Sequence, residues 1–148
     1  MQSGIPINVT IPTDQANVGL SGQRPNVVAA PSANCGNNHL VNCINIASYQ
    51  LPTLYTYGDA GRNMLYGPGF RNLDFSMFKS FAIKEKTRIE YRAEFFNLFN
   101  TPNFSNPNGG LPSLTPGTYT YSAPGSFGNI TSTANNNRSI QMALKFVF

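Results

Sequence analysis

Three stretches of the chain alternate apolar and polar side chains with a period of two. In RNLDFSMFK, Leu73, Phe75 and Met77 alternate with Asn72, Asp74 and Ser76. In KTRIEYRAEF, Thr87, Ile89, Tyr91, Ala93 and Phe95 share one side, and Arg88, Glu90, Arg92 and Glu94 share the other. In SIQMALKFVF, Ile140, Met142, Leu144, Phe146 and Phe148 alternate with Gln141, Ala143, Lys145 and Val147. On a helix these residues would scatter around the axis; on an extended chain each set falls on a single face. The pattern predicts strands at about 71–81, 86–96 and 139–148, the first two joined by a short turn into an antiparallel hairpin.

The rest of the chain shows no comparable period. Residues 1–69 read mostly as loop, with short strand candidates at INVTI (7–11) and VNCINI (41–46). GDAGRNMLYGPGF (58–70) crowds four glycines and a proline into a structured turn. Residues 97–138 form a long Asn/Gly/Pro-rich connection in which TYTYS (118–122) is the best strand candidate. A structureless connection of that length is uncommon in a compact soluble domain. The expectation is a curved, open antiparallel sheet (residues 70–148) with large disordered flanks.

Composition agrees with an all-β class. Nineteen Asn, 13 Gly and 11 Pro favour turns over helices, and 11 Phe with 7 Tyr favour strands. Charged residues make up only 11%, against about 25% in typical soluble domains. The net charge of +4 does not mark a nucleic-acid partner: Arg88 and Arg92 interleave with Glu90 and Glu94, and the first 58 residues hold only Asp14 and Arg24. No apolar run reaches the ~18 residues of a membrane helix. The opening MQSGIPINVTIPTDQ lacks a basic and an apolar signal region, so for an exported protein the address is expected upstream of Met1.

Strands with one apolar and one polar face fit two architectures. A soluble sandwich buries the apolar face and wets the polar one. An outer-membrane barrel turns the apolar face to lipid and lines its lumen with the polar face. Strands of about 9–11 residues suit a tilted membrane crossing. Aromatics are expected near the strand ends, at Phe70, Phe78, Phe81, Phe95, Phe96, Phe146 and Phe148, where interfacial girdles sit. Connections alternate short and long, as periplasmic turns and external loops do. With 71–81 running inward, 86–96 runs outward, 97–138 is external, and 139–148 ends in the periplasm.

Register carries energy in such a wall. A one-residue slip would turn Arg88, Glu90, Arg92 and Glu94 to lipid together, where each Arg costs roughly 2–4 kcal/mol at the midplane. The favoured reading is therefore an antiparallel up-and-down transmembrane β-barrel segment whose Asp74, Arg88, Glu90, Arg92 and Glu94 face the lumen. The alternative is a soluble or secreted β-rich binding or adhesion module.

Little else in the chain points to chemistry. Cys35 and Cys43 in CGNNHLVNC read as a disulfide closing a small loop. Zinc ligation with His39 and free thiols are the alternatives. Glu90 and Glu94 alternate with Arg88 and Arg92, which hold carboxylates ionised and unsuited to general-acid work. No nucleophile motif or phosphate loop is present, so neither an enzyme nor a cofactor is expected.

Three blocks resemble a known family. AGRNMLYGPGFRNLDFSMFKSFAI, KTRIEYRAEFFNLFNTPNFSNPN and FGNITSTANNNRSIQMALKFVF are similar, in that order, to the C-terminal end of Oar-like TonB-dependent receptors. The resemblance covers about residues 58–148. It implies a large barrel in the bacterial outer membrane, filled by an upstream plug and energised by the TonB system. It also implies a terminal strand read by the barrel-assembly machinery, here through Met142, Leu144, Phe146 and Phe148. Such barrels have about 22 strands, so the chain is expected to be the C-terminal part of a longer transporter.

Overall fold

The computed structural model describes residues 1–36, 39–114, 118–121 and 123–148. In chain order its elements are β1 (Pro6–Ile7), β2 (Asn26–Val27), a 3₁₀ turn (Ile46–Ser48), β3 (Tyr49–Gln50), β4 (Leu65–Tyr66), β5 (Phe75–Lys84), β6 (Thr87–Phe96) and β7 (Ser139–Val147). All strand pairs are antiparallel. The protein is all-β and divides into two compact units.

The first unit holds Met1–Gln2, Phe70–Asn103 and Thr133–Phe148. It is built on a three-stranded sheet in the order β5-β6-β7. A two-residue turn, Glu85–Lys86, joins β5 to β6 through the Lys84–Thr87 pair, with a register shift between Ala82 and Lys84. The predicted strand at 71–81 is thereby corrected: it begins at Phe75 and continues to Lys84. Arg71–Asp74 keep the alternation but spend their hydrogen bonds elsewhere. Asn103 clasps Arg71 on both backbone groups, accepting from its N–H (2.6 Å) and donating to its carbonyl (2.8 Å). The Leu98 N–H donates to the Leu73 carbonyl, and Asp74 accepts from the Asn97 N–H at 2.8 Å. The short turn expected between these strands shrinks to two residues because Ala82 and Lys84 stay paired with β6.

The second unit holds Ser3–Gly69 and Phe104–Ser132. Its regular structure is slight: β1 pairs with β4 and β2 with β3, two residues each. TYTYS contributes one bridge, Thr120 with Gln50; its last residue, Ser122, lies outside the described residues. The expectation of disordered flanks is corrected here. Ile7, Val9, Ile11, Ile44, Tyr49, Leu65, Leu111, Tyr121, Phe127 and Ile130 close a buried core. Side-chain amides replace the missing ladders. Asn8 accepts from the Asn63 N–H and Asn129 from the Asn42 N–H, both at 2.9 Å. Gly128 turns at φ +71°, and a Cβ there would meet the Ile44 nitrogen at 2.9 Å, so only glycine lets the two backbones approach. Backbone N–H groups of Val18 and Gly19 donate to Asp14 and hold its carboxyl below the ordinary value.

Candidate functional site

Register sorts the strand residues into two faces. Paired rows on the first face are Phe75–Phe95–Ile140, Met77–Ala93–Met142, Lys79–Tyr91–Leu144 and Phe81–Ile89–Phe146. Eleven of those twelve side chains are aliphatic or aromatic; Lys79 is the exception. Rows on the opposite face are Ser76–Glu94–Gln141, Phe78–Arg92–Ala143, Ser80–Glu90–Lys145 and Ala82–Arg88–Val147. The sequence alternation thus becomes a wall with one apolar and one polar side.

The apolar side is not covered. Leu144 is 72% exposed, and Phe75, Met77, Phe81, Ile140, Met142, Phe146 and Phe148 are exposed as well. Monomeric soluble proteins rarely expose contiguous apolar patches beyond a few hundred Å², so this face is made for an apolar surrounding. Phe75 and Phe95 lie 6.1 Å apart near one end of the face, Phe146 and Phe148 5.9 Å apart near the other. Met142, Leu144, Phe146 and Phe148, the residues expected to be read during assembly, fall along β7 and its end on this side.

On the polar side, Arg88 bonds Glu90 at 2.7 Å and Arg92 bonds Glu94 at 2.5 Å. Both pairs run along β6 rather than across strands. Ser76, Phe78, Ser80, Glu90, Arg92 and Lys145 help line a concavity of about 680 Å³ on this sheet. Asp74 does not join the charged rows; it precedes β5 and is engaged by Asn97 and by the Asn72 amide. Phe78 corrects the aromatic-girdle expectation. It sits in mid-strand on the polar side, opposite Arg92 and 84% exposed. Counting by twos from Ser76 would have found it, as it would have found Lys79 among the apolar residues.

Cys35 and Cys43 are disulfide-bonded with Cα atoms 4.9 Å apart. With both sulfurs joined, neither serves as a thiolate ligand beside His39. No group of three or more metal-ligating side chains occurs among the described residues. No described helix is long and apolar enough to cross a membrane.

The family model of an outer membrane beta barrel domain matches residues 1–141. The chain belongs to that family. Neither the curated proteins nor the solved structures give a match. As a member of the barrel family the protein resides in the bacterial outer membrane. The match reaches back through residues 1–57, so the loop-built unit belongs to the barrel domain as well.

Proposed function

We propose that the chain supplies the C-terminal wall of a TonB-dependent-receptor-like barrel that imports a large or scarce solute. One observation carries the reading: a sheet of three membrane-length strands, apolar on one side and charged on the other, whose outer strands β5 and β7 each keep an edge unpaired among the described residues. Lipid offers no hydrogen bonds to open edges, and bacterial barrels use at least about eight strands. Further strands of the same wall, and a plug inside it, complete the transporter. The resemblance of the blocks from Ala60 to Phe148 to Oar-like receptors supports this parentage. In that arrangement the Glu85–Lys86 turn is periplasmic, the residues between β6 and β7 are external, and the TonB system couples energy through the full-length protein. β7, with Met142, Leu144, Phe146 and Phe148 on one side, is the strand offered to the barrel-assembly machinery by strand addition.

An antibody to residues 106–119 tests the proposal on outer-membrane fractions. The expected result is a band several times heavier than 16.1 kDa that cross-links in cells to the TonB protein. A membrane band at the mass of this chain alone, or a large band that never cross-links, overturns it.

A further inference from the structure

The first unit contains a cleft that the wall does not require. Two segments form it: Asn97–Pro102, following β6, and Thr133–Asn137, leading into β7. It encloses about 320 Å³ and is lined by Asn97, Asn100, Thr101, Pro102, Thr133 and Asn135–Asn137. Among the described residues, charged side chains are absent from this lining.

Five hydrogen bonds lock residues 97–103 to residues 134–138. Asn97 Nδ2 donates to the Asn136 carbonyl, and Asn135 Nδ2 donates to the Thr101 carbonyl, both at 3.2 Å. Asn135 Oδ1 accepts from the Asn103 N–H and Asn100 Oδ1 from the Arg138 N–H, at 2.9 and 3.0 Å. The Ala134 N–H donates to the Asn103 carbonyl at 2.7 Å. Asn97 and Asn100 both take left-handed φ values, 51° and 50°, which asparagine tolerates better than most residues. The cleft is therefore pre-formed.

The side-chain amides of Asn136 and Asn137, the Asn100 Nδ2 and the hydroxyls of Thr101 and Thr133 stand outside this network. Amides and hydroxyls together offer donors and acceptors in one small space. An ion would find no opposite charge there, and an apolar ligand would strand the amides. A ligand rich in hydroxyl groups, each donor and acceptor at once, matches both properties. Pro102 adds an apolar ring for the C–H face of such a ligand. The volume lies at the small end of ligand pockets, room for a sugar unit rather than a folded partner.

We infer that this cleft binds a neutral saccharide, either free or as the terminal unit of a glycan. The inference goes beyond the transport reading, since such a site would bind whether or not the barrel moves solute. The test uses the barrel purified from outer membranes in detergent, probed with neutral glucan, mannan and chitin oligosaccharides and with sulfated counterparts. Binding of at least one neutral oligosaccharide, insensitive to salt, is expected. Asn136→Ala with Asn137→Ala should weaken it about tenfold, the scale of one or two neutral hydrogen bonds. These side chains are exposed and outside the network, so the variant should keep the folded barrel's heat-modifiable mobility on gels. Thr133→Val supplies a second variant should that one misassemble. Absence of neutral binding, salt-sensitive binding confined to sulfated sugars, or neutral binding unchanged by the folded variants would each overturn the inference.

Discussion

The two units of this chain treat hydrophobic side chains in opposite ways. In the three-stranded sheet the large apolar residues point outward, and every residue of β5 is exposed. In the loop-built unit they point inward: Phe127 is 0% and Ile44 1% exposed. Regularity divides the same way. The sheet needs a strict period because one face must suit lipid and the other water, while an internal core needs only apolar residues that meet in space. Apolar content alone therefore says nothing about where a residue points; its period does.

The sharpest break of this contrast lies in the loop-built core. Phe127→Ala removes a fully buried ring that stacks edge-on against Tyr49 at 5.9 Å, a loss of about 3–5 kcal/mol. Proteolysis should then cut within 3–69 or 104–132, while β5–β7 keep their protection against hydrogen exchange. Equal loss of protection in both units would end the division drawn between them.

Charge placement on the wall comes next. Leu144→Arg puts a cation on the apolar side and, where that side meets lipid, should destabilise the barrel in lipid vesicles by roughly 2–4 kcal/mol. Its neighbour Ala143→Arg faces the polar side and should change urea midpoints little. If Ala143→Arg costs more than Leu144→Arg, the faces have been assigned the wrong way round; equal costs would mean that the two sides meet the same surroundings.

The disulfide is a smaller lever. Reduction of Cys35–Cys43, or Cys35→Ser, reopens a short loop worth about 2–3 kcal/mol in the chain-entropy account. The effect should appear in the loop-built unit and leave the β5–β7 amides as protected as before.

The mildest test uses pH. Tyr49 and Tyr121 are buried, each adjoins one side of the Gln50–Thr120 bridge in sequence, and burial pushes both hydroxyls up to about 12. Their ordinary value is near 10, so the folded form holds these protons more tightly than the unfolded one. Their contribution is complete below pH 10 and is lost as pH rises through about 12. Absorbance titration should show two late tyrosinates, with local opening of this unit in the same range. Titration of all tyrosines near their ordinary value would remove the effect.

Much of the wall was legible in the residue order. Alternation at 87–95 and 140–148 specified two strands, their period and the division into an apolar and a charged side, because side chains of an extended chain must alternate. Parity would also have placed Phe78 among the charges and Lys79 among the apolar residues, a count the girdle expectation for Phe78 passed over. Tertiary structure alone decided where β5 begins, since Asn103, Asn97 and Leu98 withdraw Arg71–Asp74 from the ladder and sit 23–32 residues away along the chain. It alone brought Ile7, Ile44, Leu65, Leu111 and Phe127 into one core, because their segments carry no period and meet only after the chain has folded. It also decided that the Asn-rich residues flanking β6 and β7 form a locked cleft: an amide's partner is set by which backbone group arrives beside it, and local sequence does not contain that information.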